Sequence, residues 1–290
     1  MKRHALGMLL LMLWFFLAAF ANESENEKEV ILQKEEIDQY GMLIMESEFI
    51  DQSKLNELME RLEDKLSISP KDAEIKKNGG FVSEQYGYAL DRDQFEIQFK
   101  EMFYSDRDGS VTAPLETVYP RISEELLKTI SSVELGSYTT YYKTHHQERT
   151  TNIQLSSESI NSTVVFPGET FSFNDVVGER TEEKGYMKAP VIVEGEFTED
   201  IGGGICQVSS TLFNAVDLDG IQIEERYAHS REVPYVPPGR DATVSWWGPD
   251  FVFKNMYNEP VLIRSKAKDG KVTVSVHTSD SAEYFTGNES

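Results

Sequence analysis

The chain has 290 residues, 39% of them hydrophobic, a single cysteine and a formal net charge of −22. That length supports one large domain or two smaller ones. Such acidity excludes binding carried by nucleic-acid phosphates and opposes simple electrostatic attraction to anionic wall polymers, and a lone cysteine excludes an intramolecular disulfide.

Residues 1–21 read as a signal peptide. Lys2, Arg3 and His4 give a basic start, Leu6–Phe20 an apolar run, and Ala19-Phe20-Ala21 a small-x-small cleavage site. The expectation is an exported, extracellular or cell-wall-associated protein beginning at Asn22, with an uncleaved membrane anchor as the alternative. No cysteine ends the apolar run, so lipid attachment there is excluded. Without Lys2 and Arg3 the charge becomes −24.

Residues 22–50 are acidic and read as a flexible or partly helical approach. Leu55, Leu58, Met59, Leu62 and Leu66 then have the spacing of an amphipathic helix, capped by Asp51 or Ser53. Asn78-Gly79-Gly80 is a turn. A second helix is expected near Asp93–Phe103, and a third after Ser123 through Leu126, Leu127, Ile130 and Val133. Residues 51–135 thus form a small helix-rich α+β module. Beyond Gly136 the texture turns β-rich over 136–280, followed by a tail at 281–290. Tyr138–Tyr142 and Ile221–Tyr227 read as strands, and Phe166–Glu169 as a turn before Thr170–Phe173. Val261–Ser265 and Val272–Val276 flank Asp269-Gly270 as a hairpin. The fold class is α+β, and the second domain is expected to hold one central helix wrapped by strands and ended near Gly220.

That helix carries the cysteine. Gly202, Gly203 and Gly204 loosen the backbone before a stripe of Ile205, Val208, Leu212, Ala215 and Val216. Cys206 falls in the first helical turn, about 130° off the stripe's centre at about 100° per residue, beside Ser210 and Phe213. Unpaired N–H groups and the positive end of a helix favour thiolate over thiol. The pattern suits a nucleophile, and equally a small buried hydrophobe beside a tight turn.

Five blocks resemble the signature of the VanW family, named for an accessory protein of vancomycin-resistance clusters. They are Phe171-Ser-Phe-Asn174, Gly203-Gly-Ile-Cys-Gln-Val-Ser209, Arg226-Tyr-Ala-His-Ser230, Pro238-Gly-Arg-Asp-Ala-Thr-Val244 and Asp250-Phe-Val-Phe-Lys-Asn255. Their order and spacing agree over roughly 137–279, with Ser210 and Phe213 where the family usually has Thr and Tyr, and no G5-type module follows. Upstream, Gly87-Tyr-Ala-Leu-Asp91 and Pro120-Arg-Ile-Ser123 resemble the peptidoglycan-binding module that precedes VanW in YoaR-like proteins of Gram-positive bacteria. The resemblance implies a cell-wall setting and glycopeptide response, with peptidoglycan or its stem peptides as partner, and supplies no reaction.

Cys206, His229 and Asp241 stand in the order of the transglutaminase-like and papain-like arrangement, where imidazole takes the thiol proton and an acid fixes its tautomer. Gly203, Gly204 and Gln207 are the candidate oxyanion or supporting residues, and Trp246, Trp247 and Phe213 the candidate substrate groove. The competing reading gives His229 an ordinary ion pair, Asp241 a turn-capping role and the tryptophans a packing role. Paired His145 and His146 lack acidic or cysteine neighbours at ligand spacing, so no metal is expected, nor any cofactor. Three functions remain open: a cysteine-dependent amidase or acyl transferase on peptidoglycan peptides, a noncatalytic wall-binding module, and an accessory factor for another envelope protein.

Overall fold

A computed structural model of the chain describes residues 29–44, 47–76, 79–193 and 196–284. The expected signal peptide lies outside them. The described residues divide into two units, one running up to Lys71 and including Gln85–Pro120, the other comprising Asp72–Glu84 and the chain from Arg121 onward.

In the first unit, β1 (Ile31–Gln33) and α1 (Lys34–Asp38) precede the hairpin β2 (Gly41–Ile44) and β3 (Ser47–Ile50). Of the segment 22–50, expected to be flexible or partly helical, residues 29–44 and 47–50 are described; they include the short helix α1, and Ile37 is fully buried in the unit's core. Helix α2 (Gln52–Leu66) starts at Asp51, whose Oδ1 accepts from the N–H groups of Ser53 (3.1 Å) and Lys54 (3.3 Å). Asp51 rather than Ser53 is thus the cap, satisfying two amides that a helix start leaves without partners. Leu55, Leu58, Met59, Leu62 and Leu66 are all buried. The chain next forms β4 (Glu74–Ile75) and β5 (Phe81–Val82), which belong to the second unit, then returns with β6 (Gly87–Leu90). Helix α3 (Arg92–Phe103) is capped by Asp91 and buries Phe95, Phe99 and Phe103 against the leucines of α2. Strands β7 (Ser110–Thr112) and β8 (Leu115–Val118) pair with β1 and β6.

In the second unit, Ser123 caps α4 (Glu124–Ile130) by accepting from the Leu126 N–H at 3.1 Å. Val133, expected on this helix, instead opens β9 (Val133–Tyr141), a strand that runs through Gly136. Leu127 and Ile130 pack with Ala73, Ile75 and Leu262, so the sequence's textural change at Gly136 falls inside a continuous piece of structure. The next helix, α5 (Gln147–Ile160), was not foreseen: its buried residues Asn152, Ser156 and Ser157 hide the apolar stripe that sequence reading relies on.

Further on come β10 (Thr163–Val165), β11 (Thr170–Ser172), α6 (Phe173–Val177), β12 (Lys188–Val193), β13 (Glu196–Ile201) and α7 (Ile205–Val216). They are followed by β14 (Ile221–Glu225), β15 (Val252–Asn255), β16 (Val261–Lys268) and β17 (Lys271–Thr278). One antiparallel sheet has the order β10-β16-β17-β9, and a second has the order β11-β15-β14. Asp269 (φ 52°) and Gly270 (φ 76°) turn β16 into β17, both in the positive-φ conformation of a type I′ hairpin. Helix α7 packs on β9 and β17, and α5 packs on both β16 and α7, so the central helix has a helical companion rather than strands alone. Helix α7 also ends before Gly220: Asp217 is its C-cap, and a Cβ at Gly220 would lie 2.2 Å from the Tyr257 ring. That glycine serves close approach rather than helix termination.

Candidate functional site

The site is assembled where the β12–β13 hairpin feeds into α7. The turn Gly202-Gly203-Gly204 has φ of 88° at Gly202 and 110° at Gly204, conformations that side chains rarely adopt. A Cβ on Gly203 would meet the Ala189 carbonyl oxygen at 2.4 Å, so this position admits only glycine without backbone movement. The turn is pinned from α5. Asn152, fully buried, donates through Nδ2 to the carbonyls of Met187 (2.8 Å) and Gly203 (3.0 Å), while its Oδ1 accepts from the Met187 N–H (2.8 Å). The glycines therefore support the cysteine by shaping its approach.

With the Ile205–Val216 stripe committed to the core, the opposite side of α7 faces the segment 241–244. Ala242 donates its N–H to Ser210 Oγ (2.9 Å), and Ser209 Oγ donates to the Ala242 carbonyl (2.6 Å). These bonds fix the separation at which Cys206, the second residue of α7, meets that segment. Its Sγ lies 3.4 Å from the Val244 carbonyl oxygen and 3.7 Å from Thr243 Oγ1.

Tyr227 bridges Thr243, whose N–H donates to the Tyr227 carbonyl at 2.8 Å, and this pairing brings His229 back onto Asp241. Asp241 Oδ2 accepts from both the backbone N–H and the Nδ1–H of His229, each at 2.6 Å. The two side chains are only 6% and 9% exposed. With Nδ1 donating to the carboxylate, Nε2 is the nitrogen left to meet the Cys206 sulphur, to which the imidazole is hydrogen-bonded.

The electrostatics follow from this geometry. Burial by itself raises the Cys206 pKa, but the hydrogen bond and charge of His229 outweigh it, and the thiol lies below its ordinary value. For His229, burial disfavours the cation, yet its bonds to Cys206 and Asp241 hold the imidazole above its ordinary value. Asp241, despite burial, is held below the usual carboxylate range by the two His229 donors. The arrangement favours a thiolate–imidazolium pair oriented by a carboxylate.

Two arginines that sequence reading missed complete the surroundings. Arg149, on the first turn of α5, donates through Nη2 to Gln207 Oε1 (2.9 Å) and feels the charge of Cys206. Arg180, in the loop between α6 and β12, donates through Nη2 to Asn174 Oδ1 (2.8 Å) and also feels the charge of Cys206. Burial lowers the pKa of both guanidiniums below the ordinary value. Neither shows periodicity or a motif with the cysteine block; only the fold joins them to it. Burial likewise holds the Tyr235 phenol far above its usual range, with Cys206 adding to the effect.

Of the remaining expected residues, the structure reassigns two. Gln207 cannot serve as an oxyanion donor, because its Nε2 already donates to Thr140 Oγ1 and the Tyr141 carbonyl, both at 3.0 Å. Phe213 lines no groove; it is buried against Phe251, with the guanidiniums of Arg226 and Arg240 4.6 and 4.8 Å from its ring centroid. Trp247 is 88% exposed, while Trp246 is partly buried with an indole N–H that meets no acceptor. His145 and His146 pack together just before α5 with their rings tilted by 44°, and among the described residues no cluster of three or more His, Cys, Asp or Glu forms a metal site.

A family model described as "VanW like protein" matches residues 148–277. The chain is 44% identical over 270 residues to the Bacillus subtilis protein YoaR, described as uncharacterized, spanning 91% of this chain and 89% of that one. It is 30% identical over 106 residues to the "Vancomycin B-type resistance protein VanW" of Enterococcus faecalis, spanning 35% of this chain and 38% of that one. No solved structure matches the chain. With a family match across the second unit and a relative aligned over nearly the whole length, the chain belongs to the VanW family, in its YoaR-like form.

Proposed function

We propose that this VanW-family protein is an exported cysteine-dependent amidase or acyl transferase acting on peptide amides of the cell wall. The single observation that carries the reading is the Cys206–His229–Asp241 constellation, in which the imidazole bridges the sulphur and a doubly bonded carboxylate. Export rests on the basic start, apolar run and Ala19-Phe20-Ala21 site, and the wall setting on the kinship to a vancomycin-resistance protein.

In this reading the Cys206 thiolate attacks the amide carbonyl carbon, forming a C–S bond and moving the carbonyl π electrons onto oxygen. The Cys206 N–H, at the second helical position where the helix supplies no internal acceptor, faces that oxyanion together with the positive end of α7. His229 Nε2–H then gives its proton to the departing nitrogen as the C–N bond breaks, leaving a thioester and a free amine. Water, or a second amine, attacks the thioester while His229 takes its proton, and the C–S bond breaks to restore the pair. Asp241 keeps Nδ1 protonated throughout. Incubating the full-length mature protein with purified stem peptides and following released amines by mass spectrometry tests this. Turnover by the native protein, abolished by Cys206→Ala, is expected. A folded protein that binds the peptides without turnover, equally before and after Cys206→Ala, overturns it in favour of a wall-binding role.

A further inference from the structure

Two donors beside the site meet no acceptor: Arg180 Nη1 and Trp246 Nε1, both shielded from solvent. Their hydrogen-bonding capacity is of one kind, since neither can accept, and one belongs to a cation. A buried donor without a partner is costly, more so when charged, and native structures rarely keep one without a role. The two groups share one framework. Asn174 Oδ1 takes Arg180 Nη2 at 2.8 Å, and Asn174 Nδ2 donates to the carbonyls of Ser245 (3.0 Å) and Pro249 (3.2 Å), which bracket Trp246. The Arg180 guanidinium carbon lies 5.9 Å from the Trp246 ring centroid, and its side chain runs against the Gly202 turn that opens α7. Asp250, the carboxylate acting on Arg180, is already engaged: its oxygens accept from Ser172 Oγ and the N–H groups of Asn174 and Phe251.

We infer that Arg180 and Trp246 form a receptor for a carboxylate that the substrate carries close to the carbon attacked by Cys206. The inference rests on the cysteine acyl-transfer reading and names its substrate class: peptides with a free carboxylate beside the reacting bond. Charge bookkeeping supports it. The Cys206 thiolate and the His229 imidazolium offset each other, and forming the thioester discharges both, so the largely buried guanidiniums of Arg149 and Arg180 are left for a substrate carboxylate to match. A neutral acyl group leaves the Arg180 N–H unmatched, and a site built to hydrogen-bond a group discriminates strongly against analogues lacking it.

Iodoacetate and iodoacetamide alkylate the same sulphur by the same displacement of iodide and differ in a carboxylate one bond from the attacked carbon. The rate ratio, iodoacetate over iodoacetamide, is measured for Cys206 in the native full-length protein and in the same protein unfolded in urea. The native ratio is expected to exceed the unfolded one by about tenfold or more, to saturate with iodoacetate, and to fall in Arg180→Gln and in Trp246→Phe. Acetate should also protect the native thiol from iodoacetamide, a readout that needs no variant. A native ratio equal to or below the unfolded one, with brisk iodoacetamide labelling, overturns the receptor and leaves the nucleophile standing; water then satisfies both donors. A native thiol silent to both reagents removes the nucleophile and the receptor together.

Discussion

Asp241 holds His229 at two points, accepting from its backbone N–H and its Nδ1–H with a single oxygen, each at 2.6 Å. The backbone bond places the residue and the ring bond sets the tautomer, so one carboxylate fixes both position and proton. Asp241→Asn keeps the shape but substitutes a neutral amide for the anion. The expected result is slower Cys206 alkylation near neutral pH, by roughly 10- to 100-fold, with a stability loss of about 1–3 kcal/mol from the weakened buried bonds. Alkylation kinetics and urea melts on the same samples check both numbers.

The same bonds predict a pH dependence. The folded Asp241 pKa lies below its ordinary value, so its stabilising contribution is fully present above that ordinary value, about 4, and is lost as pH falls through the lower folded value. His229 runs the other way: its folded pKa is raised, so its contribution is full below about 6.5 and is lost as pH rises through the folded value. The stability gap between native protein and Asp241→Asn, followed by melts from pH 3 to 9, should therefore be widest in mildly acid to neutral solution. A gap that is constant across the range would contradict the linkage.

Gly203→Ala places a methyl group 2.4 Å from a backbone oxygen, a contact that no rotamer relieves. The turn must shift, and the second unit should lose about 1–3 kcal/mol, the usual range for forced overpacking. Calorimetry should show a Tm lower by several degrees. Because the turn aims α7, Cys206 labelling should slow as well.

Fragment boundaries offer a separate check. Ala73 and Ile75 pack with Leu127, Ile130 and Leu262. A fragment starting at residue 136 lacks four of those five side chains and cuts β9 after its third residue. It should aggregate or melt broadly, whereas residues 72–84 joined by a short linker to 121–290, which keep the second unit whole, should unfold in one cooperative transition. Circular dichroism melts compare the two.

What the sequence made legible depended on whether the signal was local. The α2 stripe with Asp51, the Asp269-Gly270 hairpin and the placement of Cys206 in the first turn of α7 each rest on residues within a turn or two of one another. Helix α5 was invisible because its inward face carries Asn152, Ser156 and Ser157; Ser156 bonds back to the Ile153 carbonyl of its own helix, and the partners of Asn152 and Ser157 come only with the tertiary structure. Arg149 and Arg180 were missed for the same reason, lying well upstream of the cysteine with no periodic relation to it. Gln207 was misread because its position beside Cys206 gives no indication that Thr140, Tyr141 and Arg149 occupy its amide.

Export has its own test. The mature protein should be recovered outside the cytoplasmic membrane with Asn22 as its N-terminus; intact Met1 in a soluble cytoplasmic fraction would contradict the reading of residues 1–21.

The most direct test of the central claim is the rate at which iodoacetamide labels Cys206 in the native protein as a function of pH, with and without His229. The account predicts rapid labelling near pH 7, with an apparent pKa well below the free thiol's value of about 8.5. His229→Ala should raise that pKa and slow labelling at neutral pH while the fold survives. A native thiol that stays silent until denaturant is added, or one that labels slowly with no dependence on His229, would contradict the nucleophile and leave a binding or accessory protein.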